Sequence, residues 1–91
     1  MSYSYQALRP SLFTEENQRA FLKVRDHVRH LLKTAGAFTM GKAIPSGVAG
    51  DSWTQMAFVD RMVELGELVE VTRHSDVAGQ FRVFVDPNDR L

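Results

Sequence analysis

The sequence predicts an α+β fold, three helices followed by a C-terminal two-stranded β-hairpin. Three observations predict it. Residues 15–35 place their apolar side chains at helical spacing and then meet Gly36. Residues 53–65 do the same and meet Gly66. Two alternating stretches, 68–72 and 80–85, flank a glycine-containing loop, as the strands of a hairpin do. With 91 residues the chain has room for one domain. Its expected organisation is an N-terminal segment over 1–13, the domain proper over 14–86 and a short tail over 87–91.

Residues 1–13 show no clear period, and Pro10 argues against a helix running through them. Tyr3, Tyr5, Leu8, Leu12 and Phe13 are apolar enough to dock on a core or on a second copy of the chain, which makes the segment a candidate dimer contact. A loosely ordered tail is the alternative. Thr14, followed by Glu15 and Glu16, reads as a helix N-cap with acids in the first turn, where the helix dipole favours them. In that helix Ala20, Phe21, Val24, Val28, Leu31, Leu32 and Ala35 fall on one side. Arg19, Lys23, Asp26, Arg29, His30 and Lys33 fall on the other, and Leu22 lies among the charges.

Residues 37–40 are long enough for a short third strand. Thr39 then caps a short helix through Lys42, Ala43 and Ile44, which Pro45 ends. Residues 46–50 read as a loop. Asp51 or Ser52 caps the third helix. Its buried arc holds Met56, Phe58, Val59, Met62, Val63 and Leu65. Its outer arc holds Trp53, Ala57, Asp60, Arg61 and Glu64, with Thr54 at the margin. In the strands, Val69 and Val71 point one way, and Phe81, Val83 and Val85 share a face.

This order resembles the winged helix-turn-helix superfamily. The residues that carry the likeness are 36–44, a glycine–aromatic–threonine approach to the second helix, and 59–71, with a leucine–glycine exit from the third helix into the hairpin. The likeness covers roughly residues 15–86. It implies a small winged helix-turn-helix whose hairpin is the wing. Two features depart from the pattern: the second helix is very short, and the loop before the third is glycine-rich. Most proteins of this kind bind duplex DNA, with the third helix in the major groove and the wing on the backbone, and a sizeable minority bind proteins.

Carried onto this chain, the resemblance implies a transcriptional regulator. Thr54, Gln55 and Arg61 then face the groove, with Trp53 at its edge. Arg73, His74 and Arg82 hold the backbone from the wing, and Lys42 does so from the second helix. The rival is a protein-interaction module using Trp53 with the outer face of the third helix, or the basic face of the first. Trp53 can equally be a core residue.

Charge weighs on both sides. Eleven basic and eleven acidic side chains cancel, so no global field attracts nucleic acid or an anionic membrane. Residues 1–50 carry seven Lys/Arg against three acids, and residues 51–91 carry four against eight. Asp60 and Glu64 on the third helix oppose phosphate.

Other chemistry finds little support. The chain has no cysteine, which excludes disulfides and thiolate ligands or nucleophiles. Residues 36–43 approach the phosphate-loop pattern, but Ala43 stands where a Ser or Thr would hold magnesium. Asp26, His27, His30 and His74 are too few and too scattered for an expected metal site. No serine sits in a nucleophile elbow, and Glu64, Glu67 and Glu70 form no catalytic pair. The expectation is a non-enzymatic protein without cofactor or metal. The N-terminus lacks the pattern of a signal peptide, and no apolar run reaches the roughly 18 residues that span a bilayer. A cytoplasmic protein without a membrane partner is expected.

Overall fold

A computed structural model describes residues 3–45, 47–48, 51–71 and 82–89. Within them the N-terminal segment is ordered. The Ser4 hydroxyl oxygen accepts a hydrogen bond from the Ala7 amide (3.4 Å) and caps a one-turn helix, α1 (Tyr5–Leu8). A 3-10 turn, Arg9–Phe13, follows, with Pro10 in its first turn, where a missing N–H leaves no bond unmade.

Helix α2 (Glu15–Ala35) has the expected bounds. The Thr14 hydroxyl accepts from the Asn17 amide (3.2 Å), and Glu15 and Glu16 occupy the first turn. The helix stops because Gly36 adopts φ +79°, a left-handed conformation that only glycine takes without strain. Its amide donates to the Leu31 and Leu32 carbonyls. Strand β1 (Ala37–Thr39) is the third strand, and α3 (Met40–Ala43) is the short second helix of the prediction. Helix α4 (Ser52–Glu64) is capped by Asp51, whose carboxylate accepts from the Thr54 amide (2.8 Å). That resolves the choice between Asp51 and Ser52.

Strands β2 (Val69–Glu70) and β3 (Val83–Val85) are shorter than expected. The expected wing tip, with Arg73 and His74, and the start of the expected second strand, with Phe81, lie outside the described residues. The sheet is antiparallel with β3 in the middle, pairing β1 on one side and β2 on the other. Phe84 sits opposite Phe38 on β1 and opposite Glu70 on β2.

One core joins the helices to the sheet. Phe58, Phe84, Met62, Leu68, Val24, Val28 and Val59 are closed to solvent. The rings of Phe38 and Phe84 stack at 5.6 Å, and Phe21 tilts against Phe58 at 6.3 Å.

Three burial expectations are corrected. Ala35 is exposed, in the last turn of α2. Leu65 is 47% exposed, because α4 ends at Glu64 and the chain turns away at Gly66, φ +79°. Ala57, expected outside, is buried: it shares a helical stripe with Trp53, Asp60 and Glu64, which the N-terminal segment covers. In β3 the core residue is Phe84, while Val83 and Val85 are half-buried, since the helix-facing side of the sheet is the side shared with Phe38.

Candidate functional site

Two surfaces of α4 compete for the role. The first is the outer stripe, where the superfamily resemblance puts the DNA contacts. Here it carries the chain's own N-terminal segment. The Tyr3 hydroxyl donates to the Asp60 carboxylate, and the Tyr3 ring meets Trp53 edge-on at 6.4 Å and 69°. The Tyr5 hydroxyl donates to Glu64 (2.8 Å), and Arg9 Nε donates to both Glu64 oxygens (2.9 Å). Arg61 Nη1 reaches the same carboxylate at 2.6 Å.

Arg82 closes this cluster from the sheet. It alternates in register with Phe84, so it emerges on the helix-facing side, and its guanidinium lies 5.3 Å from the Phe84 ring. Nη2 donates to Asp60 and to Glu70, each at 2.7 Å, while Nη1 adds a second bond to Asp60 (3.2 Å) and Nε a second to Glu70 (2.9 Å). Its side chain is only 18% exposed.

Three carboxylates (Asp60, Glu64, Glu70) thus meet three guanidiniums (Arg9, Arg61, Arg82), and the stripe is close to neutral. The hydrogen bond from Tyr5, then those from Arg61 and Arg9, pull the Glu64 carboxyl down to about 2. Burial, then the hydrogen bond to Asp60, pushes the Tyr3 phenol well above its ordinary range, and burial with the Glu64 bond raises Tyr5. Arg82 is held more firmly protonated by its bonds to Glu70, which outweigh the opposing effect of burial.

The structure places the predicted DNA-contact residues unevenly. Trp53 and Arg82 belong to the cluster just described. Arg61 is tied to Glu64 and lies 5.1 Å over the Phe13 ring. Gln55 donates to the Val48 carbonyl (3.2 Å), and Thr54 is half-buried. Lys42 is exposed on α3, where its carbonyl lies 3.0 Å from His27 Nε2. Arg73 and His74 lie outside the described residues. Arg82 therefore bridges sheet and helix, with its guanidinium engaged by Asp60 and Glu70. The basic face of α2 is likewise partly committed: Arg19 pairs with Glu15 (2.7 Å), and Arg29 lies 3.5 Å from Glu67. Among the described residues no cluster of acids and histidines is placed to hold a metal, and no helix is long and apolar enough to cross a membrane.

The second surface was not anticipated. A groove of about 270 Å³ runs between the 3-10 turn, α2 and the end of α4, lined by Leu12, Phe13, Gln18, Phe21, Leu22, Arg61 and Leu65. Its lining is mostly apolar, and three large side chains on it are open to solvent: Phe13 (45%), Leu22 (52%) and Leu65 (47%). The Phe13 ring is flanked by the Arg9 and Arg61 guanidiniums, at 5.3 and 5.1 Å. Sequence reasoning assigned Leu65 to the core and left Phe13 in an undecided segment. Only Leu22, apolar among charges, carried a signal. Comparison with protein-family models, with curated proteins and with solved structures finds no match for this chain.

Proposed function

We propose that this chain is a protein-interaction module on a winged-helix-like scaffold, docking through the groove beside Phe13, Leu22 and Leu65. The observation that carries this reading is the convergence of three exposed large apolar side chains on one groove, on a surface otherwise laced with ion pairs. Scattered exposed apolar residues need no explanation, but a contiguous set around a concavity is what partners bury. The scaffold reading rests on the element order and on the pairing of β1 with strand β3 of the hairpin.

The experiment is site-specific photo-crosslinking in cells, with p-benzoylphenylalanine in place of Leu22 and, as control, of His30 on the charged face of α2. The expected result is a discrete protein adduct from position 22 that disappears on adding Leu65→Glu and is absent from position 30. No adduct, or the same adduct from both positions, refutes the docking surface.

A second reading, duplex DNA binding by a transcriptional regulator, is favoured by one observation. The Arg82–Asp60 bonds hold the approach to β3 beside the outer face of α4, the face on which the resemblance puts the DNA contacts. Against it, the described arginines of α4 and the sheet are neutralised by carboxylates, and phosphate contact needs uncommitted cations. Titration of labelled mixed-sequence duplex, followed by anisotropy at low and moderate salt, decides. Binding that weakens steeply with salt and on Arg73→Ala supports DNA, and no binding at low salt removes it.

A further inference from the structure

We infer that the partner seated in the groove is a second copy of this chain, packed antiparallel along α2 about a two-fold axis beside Leu22. The inference rests on the docking reading above and gives it an occupant. At 100° per residue, Glu15, Gln18, Asp26 and Arg29 all fall within about 40° of Leu22 around α2, so they form one stripe with Leu22 at its centre. Glu15 lies seven residues before Leu22, and Arg29 seven after it. An antiparallel copy crossing at Leu22 therefore brings Glu15 opposite the other copy's Arg29, twice, and Gln18 opposite the other copy's Asp26, twice.

The charges are available for this. The Glu15 side chain is 88% exposed, and its described partner, Arg19, is 64% exposed. Arg29 is 56% exposed and only loosely held, 3.5 Å from Glu67. The pairing also sets the acidic start of one helix against the basic later turns of the other, which aligns the two helix dipoles favourably. Beside the axis, Leu22 of each copy meets the groove walls of the other, Phe13 and Leu65, so the exposed apolar surface covers itself. A self-complementary patch, apolar at the centre with opposite charges placed symmetrically outside it, is what a two-fold interface requires.

Sedimentation velocity over a range of protein concentrations tests this on the whole chain. The wild type is expected to pass from monomer to dimer as concentration rises. Leu22→Glu is expected to weaken the dimer by at least about 30-fold, as loss of a central apolar contact does, with a thermal melt unchanged at dilutions where both chains are monomeric, because Leu22 lies at the surface. Glu15→Arg and Arg29→Glu are each expected to weaken it several-fold, since each reversal acts twice in the dimer. The double reversal Glu15→Arg/Arg29→Glu should restore it. A chain that stays monomeric at every concentration overturns the inference. So does a dimer indifferent to Leu22→Glu, or one in which the double reversal behaves no better than the singles. A monomer that still gives a position-22 adduct in cells overturns the second copy as occupant while the docking reading stands.

Discussion

Replacing Arg82 by methionine tests whether this residue braces the fold or serves a surface. The substitution keeps an apolar stem against Phe84 and removes a guanidinium that makes four hydrogen bonds to two carboxylates. Asp60 and Glu70 are then left with side chains only 12% and 30% exposed and without that cation. Removing one partner of a fully buried pair costs about 3–5 kcal/mol, and of an exposed pair about 0–1 kcal/mol. The burial here lies nearer the first case, so Arg82→Met should cost about 2–3 kcal/mol. For a domain this small that is a fall in Tm of about 10–20 °C. Urea and thermal unfolding by circular dichroism at neutral pH measure it. Adding Asp60→Asn and Glu70→Gln should recover much of the loss, because the damage is uncompensated charge rather than missing packing. A loss below about 0.5 kcal/mol, the range of ordinary surface substitutions, would refute the brace and leave Arg82 among the candidate phosphate contacts.

Phe84→Ala removes a ring that has no solvent exposure and stacks on Phe38, and should cost about 3–5 kcal/mol in urea unfolding. Gly36→Ala meets no steric obstacle but forces a side chain into φ +79°, so about 1 kcal/mol or more should be lost in the same assay. The hold of Tyr5, Arg9 and Arg61 on Glu64 favours its charged form. That contribution is complete above the ordinary carboxyl value of 4.5 and is lost as pH falls from there through about 2. Carbon-13 titration of the Glu64 carboxyl should find its midpoint in the lower part of that window. Tyr3 and Tyr5 work in the opposite sense: their neutral forms are favoured, so their contribution is present below pH 10 and declines as they ionise at higher pH. An absorbance titration should show neither tyrosine ionising at its ordinary value in the folded chain.

The long-range order of this fold was written in local signals, and the site was not. Thr14 and Gly36 bracket α2 because capping and left-handed glycine are chemistry of one turn. The same holds for Asp51 at α4. The alternation in residues 80–85 was legible as a strand, but it offered two faces: Phe81, Val83 and Val85 on one, Arg82 and Phe84 on the other. Only the pairing with Phe38 selects the second, and Arg82 is carried inward with Phe84. The cover over α4 depends on Tyr3–Asp60 and Tyr5–Glu64, contacts between residues 57 and 59 positions apart, with no periodic signal in the N-terminal segment to announce them. The groove is equally non-local, since its walls come from the 3-10 turn, α2 and the end of α4 together.

The central claim is that the outer face of α4 is occupied by the chain's own N-terminal segment, so that partners meet the groove instead. Nitrogen-15 amide spectra of the whole chain test it in one sample series, diluted from millimolar to micromolar protein and then mixed with duplex DNA at low salt. Shifts on dilution are expected around Phe13, Leu22 and Leu65, and no DNA-dependent shifts at Trp53 and Thr54. Dilution without effect, together with DNA-dependent shifts at Trp53, Thr54 and Lys42, would contradict the claim.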